Sequence, residues 1–198
     1  MCPERSTRTG GAAVDVLFLC TGNAARSVMG GVSLATRRPD LVIETAGTLV
    51  VDGQPMSIRT RAAIQGVGHD LPRHASRQAH PPDLDGAGVV VALAPEHVEW
   101  VRRTHPAAAS HTVTLTRLVR DLPGADGFAS IRDQVDSLGA ADVELADWEE
   151  VVDPGGGEAE VFAACAREID VLVAELAPRL APPVGDAAAR GPAGAGTR

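Results

Sequence analysis

From residue 14 to residue 27 the chain reads VDVLFLCTGNAARS. Residues 14–19 form an almost continuous apolar run, which predicts a short buried strand. The run ends at Cys20, and Arg26 follows six positions later. Residues 27–37 are then predicted to form a helix. A loop that joins a buried strand to a helix N-terminus is typical of an anion-binding site, because its backbone N–H groups can point at the ligand.

The loop between this strand and helix has the residue types that a phosphate site requires. Gly22 and Asn23 tolerate the positive φ angles of a tight curl. Arg26 can grip two phosphate oxygens with its planar guanidinium group. We therefore predict a phosphate-binding loop in which the binding residues are Thr21, Gly22, Asn23, Ala24, Ala25 and Arg26.

Cys20 is the predicted nucleophile of this loop. The helix dipole, the inward N–H groups and Arg26 all favour its thiolate form. A thiolate in this place can attack phosphorus in line and form a cysteinyl-phosphate. Ser27 can donate a hydrogen bond to the sulfur, which makes it a better leaving group in the second step. The simpler interpretation, a buried apolar Cys20 and a solvated Arg26, is weakened by the strand before the loop and the helix after it.

The rest of the chain alternates between predicted strands and helices. The further strands are predicted at residues 41–45, 88–93 and 111–115, and the further helices at residues 55–65, 95–103 and 158–176. This alternation indicates parallel βαβ units, with helices on both faces of one sheet. The predicted domain covers residues 14–180, with an insertion or extra lobe at 123–150. Residues 1–13 and 181–198 are predicted to be disordered tails.

Composition excludes several classes of protein. The formal net charge of −8 argues against non-specific binding to nucleic acid or to an acidic membrane surface. Three cysteines without paired spacing do not fit a disulfide framework or a zinc site. The N-terminus lacks the apolar core of a signal peptide, and no stretch is long enough to span a membrane. We therefore expect a cytoplasmic protein, and the sequence leaves its oligomeric state open.

The run Cys-Thr-Gly-Asn-Ala-Ala-Arg-Ser resembles the active-site loop of the low-molecular-weight protein tyrosine phosphatases. The resemblance covers most of the chain, from about residue 14 to residue 176. It implies a three-layer α/β fold with a four-stranded parallel sheet in the order 2-1-3-4, flanked by helices. It also implies hydrolysis of phosphotyrosine-like substrates through a phosphocysteine, without a metal or cofactor. The expected partner is a phosphorylated protein or a small phosphate ester.

A general acid is predicted at Asp153. A phenolate or alkoxide leaving group needs a proton, so a carboxylic acid should lie above the phosphate loop. Pro154 restricts the backbone of Asp153 to an extended shape. The pair resembles the Asp-Pro that the family carries before its last helix. A solvated turn remains the simpler interpretation, and the weaker candidates for the acid are Asp147, Asp142 and Asp126.

Two further residues are assigned supporting roles through the resemblance. Thr45 stands where the family usually has a Ser hydroxyl, and His74 resembles a His that reaches back towards the loop. Asn23 is similar to the Asn that maintains the shape of the loop. Ala25, in contrast, occupies the position of a second loop cysteine that many members carry.

The chain departs from the family at the positions where the family often lines its pocket with aromatic residues. Here those places hold Leu49, Val50, Val51 and the glycines 155–157. Stacking on a phosphotyrosine ring is therefore in doubt. A phosphoarginine or a small phosphorylated metabolite is an alternative substrate.

Two other functions remain open from the sequence. An arsenate reductase of the same fold, coupled to a small thiol, would need only Cys20. A thioredoxin-coupled type would need two more cysteines nearby. Cys165 instead lies on a helix face that is predicted to be buried, together with Val161, Phe162, Ile169, Leu172 and Leu176. The second alternative is a non-catalytic, regulatory phosphate-binding module that has kept the loop and lost the pocket walls.

Overall fold

The computed structural model describes residues 13–183. The predicted tails, 1–13 and 181–198, lie outside the described residues except for positions 13 and 181–183. Cys2 lies outside them too. Within residues 13–183 the chain forms four strands, which are β1 Val16–Cys20, β2 Ile43–Gly47, β3 Val89–Ala92 and β4 Thr112–Thr114.

Seven α-helices and four short 3₁₀ helices surround these strands in the described part of the chain. The α-helices are α1 Arg26–Arg37, α2 Ile58–Gly66, α3 Pro81–Asp85, α4 Pro95–Thr104, α5 Leu115–Asp121, α6 Ile131–Asp136 and α7 Ala159–Leu176. Helix α2 begins three residues later than the sequence predicts. The reason is Ser57, whose hydroxyl caps the helix by accepting a hydrogen bond from the N–H of Thr60 at 3.0 Å.

The four strands form one parallel sheet in the order β2-β1-β3-β4, which confirms the predicted topology. All five residues of β1 are buried, because helices cover both faces of the sheet. Cys20 ends β1 opposite Gly47, the last residue of β2. The carboxyl edge of the sheet therefore presents Cys20 beside the chain that leaves β2, at the place where parallel sheets bind ligands.

The hydrophobic core lies on both sides of the sheet. Phe18 and Cys20 face the layer that contains α1 and α7, whereas Leu17 and Leu19 face the layer that contains α4. Helix α7 packs against α1, α2 and α5. Its buried face matches the prediction at Phe162, Cys165, Ile169 and Leu176. Val161 and Leu172 were also expected there, but Val161 is 41% exposed and Leu172 is only partly buried. Ala166 and Val173 complete the buried face instead.

The segment 123–150 packs on the same core. Its helix α6 contributes Ile131 and Val135, which are buried with the residues of α1 and α7. Further on, Ala181 is buried and its N–H donates to Oε1 of Gln134 at 2.9 Å, so the packed chain extends at least one residue beyond the predicted boundary. Across residues 13–183, no helix combines the length and the apolar character needed to cross a membrane.

Candidate active site

The phosphate loop, residues 20–27, turns sharply at Asn23. Asn23 has a φ of 49°, and no other non-glycine residue in the described chain has a positive φ. Gly22 was also expected to use this freedom, but its φ is not positive. A Cβ at Gly22 would meet nothing within 4 Å, so this glycine leaves the mouth of the site open rather than relieving strain.

The buried side chain of Asn23 makes hydrogen bonds within the loop and to the segments beside it. Its Nδ2 donates to Ser27 Oγ at 3.0 Å and to Thr45 Oγ1 at 2.9 Å. Its Oδ1 accepts a hydrogen bond from the backbone N–H of Arg77 at 3.0 Å. Thr45, predicted as a supporting residue, is thus in direct contact with the loop.

The backbone oxygens of the loop point away from its centre. His74 Nε2 and Ser76 Oγ donate to the carbonyl of Asn23 at 2.6 and 2.8 Å, which places His74 where the sequence predicts it. Burial lowers the pKa of His74, and its hydrogen bond to that carbonyl partly offsets this. The carbonyl of Ala24 accepts from Thr60 Oγ1 at 3.0 Å.

The first turn of the loop follows the same arrangement. The carbonyls of Cys20 and Thr21 accept from the N–H groups of Thr48 and Leu49 at 2.9 and 3.0 Å. In a trans peptide the N–H points opposite to the carbonyl of the same unit. Outward carbonyls at positions 20, 21, 23 and 24 therefore turn the N–H groups of the next residues inward. Those N–H groups belong to Thr21, Gly22, Ala24 and Ala25.

Cys20 lies at the base of this ring of N–H groups and is 3% exposed. Its Sγ is 3.0 Å from Ser27 Oγ. Since Ser27 Oγ already accepts from Asn23 Nδ2, the hydroxyl proton is free to point at the sulfur. The contact is therefore suited to stabilising a thiolate.

Arg26 connects the loop with the predicted general acid. Its side chain is 3% exposed, and Nη1 donates to the carbonyl of Val151 at 3.1 Å. Its Nη2 donates to Asp153 Oδ2 at 2.6 Å and lies 3.5 Å from Thr21 Oγ1. The guanidinium is thus fixed at one side and faces the loop at the other.

Asp153 stands at the mouth of the site. Its side chain is 51% exposed, and Oδ1 accepts a hydrogen bond from the N–H of Gly155 at 2.9 Å. Together with the phosphate loop it lines a cavity of about 350 Å³. The weaker candidates Asp126, Asp142 and Asp147 do not line this cavity.

Several residues of this cavity were missed by the sequence analysis. Phe162 of α7 and the pair Ser57 and Thr60 of α2 line it. Phe162 is an aromatic wall that was assigned only to the core, from its place on an apolar helix face. The sequence around Ser57 and Thr60 indicates the start of a helix but gives no indication that their hydroxyls line a cavity.

His97 is the most informative of the missed residues. It is 1% exposed, and its Nε2 lies 3.0 Å from Thr21 Oγ1. Burial and, to a smaller extent, the charge of Arg26 lower its pKa to about 3, although the charge of Asp153 opposes this. His97 is therefore a neutral contact of the loop. Its only sequence signal is its position just beyond the carboxyl end of β3.

Gly47 is a second missed residue, because the loop packs directly on its backbone. A Cβ at Gly47 would lie 2.4 Å from Val50 Cγ2, 2.5 Å from the carbonyl oxygen of Thr21 and 2.9 Å from the N of Asn23. Two of these atoms are backbone and cannot rotate away. Only glycine allows the loop to approach β2 so closely.

Cys165 does not join the site as a second reactive sulfur. It is 4% exposed on α7, and burial raises the pKa of its thiol to about 12. The thiol is therefore neutral at physiological pH and unsuited to nucleophilic attack.

Comparison with known proteins gives one consistent result. The family model described as "Low molecular weight phosphotyrosine protein phosphatase" matches residues 15–136. A protein-arginine-phosphatase from Geobacillus stearothermophilus is 27% identical over 166 residues, which cover 83% of this chain and 95% of that protein. The low molecular weight protein-tyrosine-phosphatase Ptp of Acinetobacter johnsonii is 24% identical over 101 residues, or 51% of this chain and 71% of that protein.

A solved structure extends the likeness to three dimensions. The low molecular weight protein tyrosine phosphatase from T. tengcongensis superposes with a TM-score of 0.65 at 25% identity. The match covers 84% of this chain and 99% of that one. The likeness thus extends beyond the loop to the whole described fold.

Proposed function

Because the chain belongs to the low molecular weight phosphotyrosine protein phosphatase family, we propose that it removes phosphate from phosphorylated protein side chains with Cys20 as nucleophile. The family hydrolyses phosphate esters through a cysteine nucleophile. The observation that carries the assignment is the ring of inward N–H groups around Cys20, closed by Arg26. An arsenate reductase is not needed to account for this arrangement.

In the first chemical step, the phosphate sits among the N–H groups of Thr21, Gly22, Ala24 and Ala25 and beside the guanidinium of Arg26. The sulfur of Cys20 attacks phosphorus, and the bond from phosphorus to the leaving oxygen breaks. Asp153, in its carboxylic acid form, gives its proton to that oxygen. The position of Asp153 at the mouth of the cavity supports this role.

In the second step, the carboxylate of Asp153 takes a proton from water. The water oxygen attacks phosphorus, and the bond from phosphorus to sulfur breaks. The hydroxyl of Ser27, 3.0 Å from the sulfur, stabilises the departing thiolate of Cys20. The remaining loop contacts, those of Asn23, Thr45 and His74, maintain the geometry for both steps.

The walls of the cavity favour a second candidate substrate beside phosphotyrosine. Phe162 is the one aromatic residue among those that line the cavity, and the segment 155–157 after Asp153 consists of glycines. A phosphoarginine side chain needs no ring to stack on it. The relative from Geobacillus stearothermophilus, a protein-arginine-phosphatase, is similar over 83% of this chain.

The test compares wild type with Cys20→Ser on three substrates: an aryl phosphate, a phosphotyrosine peptide and a phosphoarginine peptide. We expect wild type to release phosphate from the aryl ester and the variant to release none. The ratio of kcat/KM between the peptides then identifies the substrate class. If wild type binds phosphate but never releases it from any of the three, the chain is a regulatory binding module. The expected cytoplasmic location stays a prediction.

A further inference from the structure

A second cavity adjoins the active-site cavity at Thr21. It has a volume of about 350 Å³ and is lined by Thr21, Thr48, Leu49, Glu96, His97, Trp100 and Arg103. Binding pockets for small ligands have volumes of about 300–1,000 Å³, so this cavity is large enough to hold a side chain. Thr21 lines both cavities. A residue next to the phosphorylated residue of a bound substrate is therefore within reach of the second cavity.

Two apolar side chains form the walls of this cavity. Leu49, from the chain that follows β2, is 77% exposed. Trp100, from α4, packs partly against the core and contacts the ring of His105 at a centroid distance of 4.9 Å. Leu49 and Trp100 thus give this cavity apolar surface that a side chain of a bound peptide can cover.

The two charged side chains that line the cavity differ in whether they already have partners within the protein. The carboxylate of Glu96 lies 3.4 Å from both Thr21 Oγ1 and His97 Nε2. Among the described residues, Arg103 has no carboxylate within 4.0 Å. The guanidinium of Arg103 is therefore available to a carbonyl oxygen of a bound peptide, while Leu49 and Trp100 offer contact to an apolar side chain.

We propose that this second cavity binds an apolar side chain next to the phosphorylated residue of a polypeptide substrate. The proposal rests on the proposed phosphatase function and adds a sequence preference to it. An extended chain spans about 3.3–3.6 Å per residue, so a cavity that shares Thr21 with the active site is within reach of the neighbouring one or two residues. Trp100 supplies on α4 the aromatic wall that the loop after β2 lacks.

The experiment uses two phosphotyrosine peptides that differ only in the residues flanking the phosphotyrosine, Leu in one and Ser in the other. For wild type we expect kcat/KM about tenfold higher with the Leu peptide, the size of effect that one apolar group produces in a fitted pocket. In Leu49→Ser and in Trp100→Ala we expect this ratio to fall below about threefold. Matched controls are Val171→Ser, at an exposed valine of α7, and Trp148→Ala, at the other tryptophan, and both should keep the wild-type ratio.

A binding measurement gives an independent readout. In the double variant Cys20→Ser, Trp148→Phe, Trp100 is the single tryptophan of the chain. The Leu peptide should shift its fluorescence emission at a lower concentration than the Ser peptide does. Equal titrations would overturn the proposal.

The outcomes separate this proposal from the phosphatase function. If wild type hydrolyses the aryl phosphate and both peptides, and kcat/KM is equal for the two peptides, only the proposal for the second cavity is overturned. A peptide ratio that survives in both Leu49→Ser and Trp100→Ala also overturns it. A ratio that changes with protein concentration overturns it too, because the cavity then belongs to a contact with a second copy of the chain. If wild type hydrolyses none of the substrates, the phosphatase function is overturned as well.

Discussion

Nη2 of Arg26 donates a hydrogen bond to Oδ2 of Asp153 over a distance of 2.6 Å, across 127 positions of sequence. The pair connects the phosphate loop with the segment that leads into α7. An ion pair whose carboxylate is half exposed is weak, whereas a phosphate offers the guanidinium two charged oxygens. We therefore expect a bound phosphate to take over Arg26 from Asp153, which leaves Asp153 free for its proposed role as general acid.

Asp153→Asn tests whether Asp153 protonates the leaving group while Arg26 binds the phosphate. We expect kcat for an ester with a poor leaving group to fall by about 10²–10⁴-fold, because no group then protonates the leaving oxygen. Inhibition by inorganic phosphate should remain within a few-fold of wild type, because Arg26 and the N–H groups are intact. The measurement is kcat across a series of aryl phosphates of increasing leaving-group basicity.

The matched control for Asp153→Asn is Glu158→Gln. Glu158 is an exposed carboxylate five positions further on, and its only described ion pair is with Arg59. Its loss should leave the leaving-group series unchanged. Unchanged turnover of poor leaving groups by Asp153→Asn would remove Asp153 from the mechanism.

Ser27→Ala is expected to slow the second step more than the first. Without the hydroxyl at 3.0 Å, the sulfur of Cys20 leaves phosphorus less readily. A phosphocysteine should then accumulate, which acid quenching during steady-state turnover detects as labelled protein. Ser33→Ala is the control, since Ser33 is an equally buried serine of α1 that donates to Asp170 at 2.7 Å, away from the sulfur. Equal amounts of phosphoenzyme in Ser27→Ala and wild type would contradict this role.

Gly47→Ala should displace the phosphate loop, which packs directly on the backbone of Gly47. The added Cβ would lie 2.5 Å from the carbonyl oxygen of Thr21, so the loop or β2 must shift. We expect at least a tenfold loss of phosphate affinity, together with a loss of about 1–3 kcal/mol in the free energy of unfolding, as for other overpacked sites. Phosphate inhibition and urea unfolding measure the two effects.

Gly66→Ala serves as the comparison for Gly47→Ala. Gly66 is exposed at the end of α2, and a Cβ there meets nothing within 4 Å. Phosphate affinity should be unchanged by this substitution. If Gly47→Ala binds phosphate as wild type does, the close packing of the loop on β2 is not needed for binding.

The phosphate loop could be predicted from the sequence because its parts are consecutive. A buried strand, Cys20, Arg26 and the start of α1 follow one another within a few residues, and local physics determines their order. The strand order 2-1-3-4 then places β2, which carries Thr45, beside β1. The positive φ was expected at two residues, but Asn23 alone makes the turn.

The remaining contacts of the loop depend on how distant elements pack. His97 meets Thr21 across 76 positions, and Thr60 meets Ala24 across 36. Neither pairing has a local pattern, because each follows from the position of a whole helix relative to β1. Phe162 illustrates the same limit, since an apolar helix face predicts burial but not that one of its residues lines a cavity.

His97 makes the stability of the protein depend on pH in a defined window. Its pKa is about 3 in the folded protein, against an ordinary value of 6.5. Between these values the unfolded chain binds the extra proton, so stability falls as the pH is lowered below 6.5. From pH 7 to pH 5 this one group should remove about 2 kcal/mol. The loss should be complete only below about pH 3.

His97→Gln isolates this contribution, because glutamine keeps a polar contact for Thr21 but does not titrate. Urea unfolding at pH 7 and pH 5 should show a smaller loss of stability in the variant than in wild type, by about 2 kcal/mol. Burial also lowers the pKa of His74 and of His111, and both remain in the variant, so some acid sensitivity should persist. Parallel curves for His97→Gln and wild type would mean that His97 protonates as easily in the folded as in the unfolded chain, which is incompatible with a neutral imidazole enclosed against Thr21 and Arg26.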